Sequence, residues 1–490
     1  VSRLHRLLAT ATTAAAAALL AGCAHPPVGP DYAAPAALSP TQAASAGPFL
    51  SGIGTATDAA LPPNWWRIYQ DPLLDTLVAQ AFAHNTDLRQ AVANFEREQA
   101  LEAEVHGPER PTVALSGGPG FGHVSGLTLV QKDYEPPGRF TYGASAGLSY
   151  QLDLFGQLRR AIEAAEAGSG AAQAALDLVR VNVAGGTARA YAEVCASGLR
   201  LRSAHESVRL QEEAVQLAQR LQQAGKVGPI DTARARGQLE LLRASVPPLL
   251  AQRQNALYRL ATLTGAAPRD FPAPVAGCDR PPRAAGLLPV GDGAALLRRR
   301  PDVRQAERNL AAATARIGVA TAELYPKVVL GVSASSAGFL NRFGNRETFS
   351  YSLGPLISWT VPDNGVARAR IAQAEAATRQ AAARFDGTVL TALREAESAL
   401  SSYARELDRH AALAAARAQS ATVAQQARTL YINGKTAQLD ALDAMRTLAA
   451  SEAALAASEA QLADDQFAVF MALGGGWEGQ ANDVVGQAAR

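Results

Sequence analysis

The chain has 490 residues, room for two or three ordinary domains or one large unit. Its formal net charge is +2, and Arg3 and Arg6 are the only charges in residues 1–22, so without that segment 44 basic residues face 44 acidic ones. That balance excludes the basic excess of a nucleic-acid binder, and a charged fraction of 18%, against roughly 25% in soluble domains, with abundant alanine points to closely packed helices.

Residues 1–22 read as a signal peptide. Arg3 and Arg6 form its basic start, and Leu7 to Leu20 is an apolar run too short to span a membrane as a helix. Leu20-Ala21-Gly22-Cys23 resembles a bacterial lipobox, which implies cleavage before Cys23 and acylation of that residue. Ala24 follows, not the Asp that often retains such lipoproteins at the inner membrane, so an outer-membrane address is expected. Several acyl chains anchor far more firmly than one. No cofactor other than this covalent lipid, and no metal, is expected. Residues 23–63, rich in Pro, Ala, Gly and Ser, read as a lipid-anchored tether.

The remainder repeats itself. Asp87 matches Asp302, Arg89 matches Arg304 and Pro111 matches Pro326, each pair 215 positions apart. Gly156 matches Gly365, Gly225-Lys226 matches Gly434-Lys435, Asp231 matches Asp440 and Gly265 matches Gly474, each 209 apart. The expected organisation is repeat 1 over 64–275, a linker over 276–290, repeat 2 over 291–477 and a tail over 478–490. Each repeat starts with a helix, about 72–106 and about 292–324, closed by prolines.

Two strand-like segments follow in each repeat. Phe140, Tyr142, Ala144, Ala146, Leu148, Tyr150, Leu152 and Leu154 fall on one face, and Thr141, Gly143, Ser145, Gly147, Ser149, Gln151 and Asp153 on the other. Phe349, Tyr351, Leu353, Pro355, Ile357, Trp359 and Val361 alternate in the same way, and weaker partner strands span about 111–121 and 327–338. This period fits a membrane barrel and equally a half-buried sheet on a soluble core. No helix-length apolar run exists beyond the N-terminus, so a membrane span here requires strands.

From about 157 to 224 there is no proline, and about 68 helical residues would reach about 100 Å. Gly225-Lys226-Val227-Gly228-Pro229 then turns the chain, and the return helix is expected to run to about 263. In repeat 2 the turn is Asn433-Gly434-Lys435. Such lengths fit antiparallel coiled-coil hairpins. An open four-stranded sheet leaves backbone groups unpaired in lipid, so strands must be pooled between copies. This excludes a monomer and leaves a dimer, a trimer or a larger ring.

Nearly the whole chain resembles the TolC/OprM-like outer-membrane factors, in particular the NodT-type lipoproteins of resistance-nodulation-division (RND) efflux systems. The resemblance rests on Val28-Gly29-Pro30-Asp31-Tyr32, Trp65-Trp66, Asp71-Pro72-Leu73, the Tyr150–Gly156 run, Arg299-Arg300-Pro301-Asp302 and the Ala472–Trp477 run. It implies an α+β membrane protein in which four β-strands per chain contribute to a trimeric 12-stranded barrel, with a long coiled-coil α-barrel. It also implies three kinds of partner: two further copies of the chain, a periplasmic adaptor, and an inner-membrane RND-type pump. The function implied is a passive exit duct for drugs or other small molecules. A conduit of an ATP-driven (type I) secretion system and a non-channel coiled-coil spacer lipoprotein are the alternatives. The lipobox and the Val28–Tyr32 motif favour efflux over secretion, and four alternating strands argue against a spacer.

The run Leu439–Arg446 is similar to the family's constriction motif, which implies a periplasmic gate at Leu439 and Asp443. The two are four residues apart, on one helix face. At the matching positions repeat 1 has Ile230 and Arg234, and Arg234 is expected to pair with Asp443 of an adjacent hairpin. Gly225, Lys226, Gly434 and Lys435 are the candidate adaptor-docking turns. Cys195 and Cys278 stand at comparable heights, which leaves a disulfide in the oxidising periplasm open, but nothing in the sequence sets their Cα separation, and two free thiols are expected over it. No enzyme is expected: there is no zinc-protease histidine pair, no P-loop, and the seven histidines are scattered.

Overall fold

The computed structural model describes residues 26–35, 47–52, 54–123, 135–271, 273–284 and 286–477. The expected signal peptide, Cys23, the tail over 478–490 and part of the tether lie outside these residues. In chain order the elements are β1 (Ala56–Thr57), α1 (Pro72–His84), α2 (Thr86–His106), β2 (Thr112–Gly122), β3 (Arg139–Leu152), α3 (Gln157–Gln223), α4 (Pro229–Ala244), α5 (Val246–Leu263) and α6 (Ala273–Ala276). They continue with β4 (Leu288–Pro289), α7 (Gly293–Arg299), α8 (Pro301–Ala322), β5 (Lys327–Phe339), β6 (Phe349–Ser358), α9 (Val366–Ile432) and α10 (Gln438–Ala472). The chain is α+β. Helices α3 and α9 have 67 residues each and start 209 positions apart, the offset of the sequence matches. No helix among the described residues is long and apolar enough to cross a membrane.

Three helices expected as single rods are broken, each for a local reason. The first breaks at Asn85, whose side chain accepts the Leu88 N–H at 3.0 Å and donates to the Leu263 carbonyl at 3.0 Å. Asn85 thus caps α2 while its own backbone is extended. The second breaks at Arg300, held extended because Pro301 follows. The third is the return helix of the first hairpin, which ends at Ala244 and restarts at Val246. Pro247 and Pro248 remove two amide donors and crowd the carbonyls one turn back. Ala456 and Ala457 stand at the matching places in α10, which runs unbroken.

The chain divides into two compact units. The described part of unit 1 comprises 26–34, 96–123, 135–171 and 306–384. Its centre is an antiparallel sheet in the order β2-β3-β5-β6. The register is continuous, with Leu148 opposite both Val113 and Val332, and Val332 opposite Leu353. Strands β2 and β6 are its free edges among the described residues. The strands end at Leu152 and Ser358, so Leu154, Trp359 and Val361, expected to continue the alternation, lie just beyond them. Ala167 of α3 packs on Ala311 and Ala312 of α8, where small side chains allow close approach.

Unit 2 comprises the described residues of 35–95, 172–305 and 385–477. Trp65 is fully buried, stacks on Phe470 at 4.9 Å and donates its Nε1–H to the Gly475 carbonyl at 3.3 Å. A Cβ at Gly475 would stand 2.2 Å from the end of the Leu61 side chain, which would have to shift to admit it. The Arg300 guanidinium binds Asp302 at 2.7 Å, Glu395 at 2.8 Å and the Ala472 carbonyl at 2.8 Å. Arg304 lies 4.8 Å over the Trp477 ring. Asp177, buried between Arg180 and Arg304, has its carboxyl pushed up in pKa by that burial, against the pull of the two guanidinium groups.

The expectation of two free thiols is wrong. Cys195 and Cys278 form a disulfide, with Cα atoms 4.6 Å apart. A backbone feature hidden from the sequence makes the approach feasible: Gly198, one turn after Cys195, lets the Cys278 carbonyl come within 2.1 Å of where a Cβ would stand.

Candidate functional site: a two-faced sheet, an N-terminal strap and two hairpin tips

The sheet of unit 1 presents two unlike faces because side chains alternate. On one face Val113, Leu115, Leu148, Tyr150, Leu330, Val332, Tyr351, Leu353 and Ile357 are all exposed. Leu115 at 77%, Tyr351 at 80% and Leu353 at 78% are far too open for a soluble core face. On the other face Ser116, Ser145, Ser335 and Ser350 stand in one row across all four strands. Their hydroxyls pair, Ser116 with Ser145 at 2.7 Å and Ser335 with Ser350 at 2.7 Å, while Ser333 meets Ser352 at 2.8 Å in the next row. Aromatic groups gather at both ends of the strands. Phe121 meets Phe140 at 5.0 Å and Tyr142 meets Phe343 at 4.8 Å at the loop end. At the helix end Phe155 stacks on Tyr325 at 4.5 Å, and Trp359 donates to the Leu324 carbonyl at 3.1 Å.

Beside that second end the N-terminal strap is bound tightly. The Val28 N–H donates to the Phe155 carbonyl at 3.1 Å. Arg160, with a side chain only 4% exposed, donates to Asp31 at 2.6 Å, to Glu163 at 2.7 Å and to the carbonyls of Val28 and Gly29 at 3.2 Å each. Tyr32 donates to Glu307 at 2.5 Å, and burial with that bond pushes its hydroxyl up in pKa. A Cβ on Gly29 would stand 2.5 Å from Gly318, so backbone meets backbone there.

In unit 2 the two hairpin tips are built alike. Gly225 and Gly434 both have φ 68, a left-handed conformation with open space around it, so glycine is needed for its conformation. The Lys226 N–H donates to the Leu221 carbonyl and the Lys435 N–H to the Leu430 carbonyl, each at 2.9 Å. Both turns are Schellman caps. Asp231 accepts the Gly228 N–H at 3.2 Å, and Asp440 accepts the Thr436 hydroxyl at 2.6 Å. Val215, Ala218, Ala235 and Leu239 form a small buried core in the first hairpin, with Leu442 of the second packed against it.

Leu439 is 56% exposed and Asp443 is exposed on the same face of α10, while Ala441 and Ala444 are buried. Ile230 is 60% exposed at the matching place, and Arg234 is exposed beside it. Arg234 and Asp443 do not meet within the chain. Asp443 binds Arg446 at 2.6 Å, and Arg234 approaches Asp231 at 3.9 Å. Arg446 sits three residues after Asp443, the spacing of a same-face helix pair, and that signal was readable in the sequence. Among the described residues, one group brings metal-type ligand atoms within 4.8 Å of one another: Glu102, His106 and Glu166. Glu109 stands 2.8 Å from His106 Nδ1 and raises its pKa, so this is a surface ion-pair group.

Comparison with known proteins fits these features. The model of the outer membrane efflux protein family matches residues 77–266 and 294–475. Nodulation protein T of Rhizobium leguminosarum bv. trifolii is 30% identical over 94% of this chain and 96% of its own. The solvent efflux pump outer membrane protein SrpC of Pseudomonas putida is 30% identical over 95% of this chain and 97% of its own. The solved structure of the outer-membrane channel OprN superposes with a TM-score of 0.85 at 34% identity, covering 92% of this chain and 99% of that one. The chain therefore belongs to the outer membrane efflux protein family and is an outer-membrane channel protein.

Proposed function

We propose that three copies of this chain pool their four-stranded sheets into one 12-stranded barrel, the passive exit duct of a tripartite efflux system. The reading rests on the sheet of unit 1, which among the described residues has two unpaired edges, an exposed apolar face and serine rows opposite. In lipid those edges must be paired, and only closure with other copies does this. The apolar face then meets acyl chains, the aromatic groups lie at the two membrane boundaries, and the hydroxyl rows line the bore. The internal two-fold repeat gives each copy two hairpins, hence six around the axis.

Cys23 carries the lipid in this reading. It precedes Val28 by five residues, a reach of at most about 18 Å. Because Val28 is bonded to Phe155, the acyl chains join the membrane at the helix end of the sheet. Leu439 and Asp443 form the periplasmic constriction, an apolar plug beside an anionic ring of the kind that favours cations. Lys226 and Lys435 head the turns that meet a periplasmic adaptor, which couples the duct to an inner-membrane RND-type pump. Drugs or other small molecules are the cargo, selected by the pump, and no catalytic step is involved.

Conductance across a planar bilayer separates a duct from a coiled-coil spacer, which passes no current. A crosslink from Lys435→Cys in cells then identifies the neighbour. Recovery of an adaptor with a proton-driven pump is expected, and recovery of an ATP-driven exporter would move the assignment to secretion.

A further inference from the structure

Cys195 is fully buried in the main core of unit 2, in the cluster that includes Tyr191, Leu260 and Phe467, whereas Cys278 is only partly buried. The segment carrying Cys278 crosses several helices and is held at each. Arg253 of α5 donates to the Ala276 carbonyl, Arg202 of α3 pairs with Asp279, and the Ala284 N–H donates to Gln466 of α10 at 3.1 Å. Val275 of the same segment is fully buried. Once these contacts exist, no redox protein can reach the Cys195 sulfur.

We propose that the Cys195–Cys278 bond is introduced by a thiol–disulfide oxidant before the core of unit 2 closes, and is locked once it has closed. The step is an exchange through a mixed disulfide. One cysteine thiolate attacks the donor's disulfide, and the second cysteine attacks the mixed disulfide. The chain loses two protons and two electrons, and the donor leaves as a dithiol. The lock follows from the unequal burial. A reductant can attack only the Cys278 sulfur, and this expels Cys195 as a thiolate into an apolar core, a poor leaving group there. The third cysteine does not compete, because acylation of Cys23 consumes its thiol. The inference rests on the outer-membrane reading, since such oxidants work outside the cytoplasm.

The test uses the full chain in cells. Newly made protein is pulse-labelled, free thiols are capped at intervals with a maleimide polymer, and protease-resistant chain is scored in parallel. The oxidised chain is expected to appear before the resistant one. Folded oxidised protein given glutathione is expected to be reduced at least about 100-fold more slowly than the same protein in urea. A resistant chain that carries two free thiols and oxidises later would overturn the order. Equal reduction rates with and without urea would overturn the lock. Three free thiols on the mature chain would remove the lipid-anchor reading together with the inference, whereas two on an acylated chain would remove the inference alone.

Discussion

Arg160 shows how a side chain of no chemical role decides where a segment lies. It holds Asp31 and two strap carbonyls while almost wholly buried. Arg160→Ala is expected to lower thermal stability by about 1–3 kcal/mol and to open residues 26–32 to protease, read by melting and by the clipping site. Gly318→Ala should act in the same direction, because its Cβ would stand 2.6 Å from Arg160 Cγ and 2.7 Å from the Val28 carbonyl. Asp443 has its cationic partner in Arg446. Arg446→Ala is therefore expected to raise leak of a large glycopeptide antibiotic more than Arg234→Ala does. An exposed pair of about 0–1 kcal/mol limits that increase to about fivefold. Equal leak from the two variants would favour pairing of Arg234 with Asp443 between adjacent hairpins.

Hairpins and strands were the most legible part of the sequence, because their periods are long and their turn glycines are placed by conformation. The four strands fall within a few residues of their expected spans, and the first long helix of each repeat ends at its expected glycine turn. Breaks were less legible. Asn85 and Arg300 interrupt apolar patterns that continue on both sides, and only cap chemistry and the following proline mark them. Pro247 and Pro248 were a plain signal that the length of the return helix obscured. Replacing both with alanine should join α4 to α5 and slow amide exchange around Ser245, measured by hydrogen–deuterium exchange. The disulfide could not be read, because the approach of the Cys278 segment depends on Gly198, a helix-interior glycine without local meaning. It closes a sequence separation of 83 residues. Removing it by Cys195→Ser with Cys278→Ser is expected to cost about 4–5 kcal/mol, read as a lowered denaturation midpoint.

For the assembled molecule, the motifs that carry the family resemblance turn out to be structural. Trp65 meets the Gly475 carbonyl, Arg300 meets the Ala472 carbonyl, and the Val28–Tyr32 strap meets Arg160. They build the frame, while the positions proposed for function, Leu439, Asp443 and the two lysine tips, stand exposed on it. This is why the fold was easier to read than the sites: a buried contact leaves a rigid pattern, whereas an exposed side chain acquires its role from another copy or a partner. The proposed closure of the barrel by three copies is the step from which the proposed duct, six hairpins and ring of Asp443 would all follow. Native mass spectrometry of the protein extracted in mild detergent measures that step. A complex of three acylated chains is the predicted result, and a monodisperse dimer or monomer would contradict it.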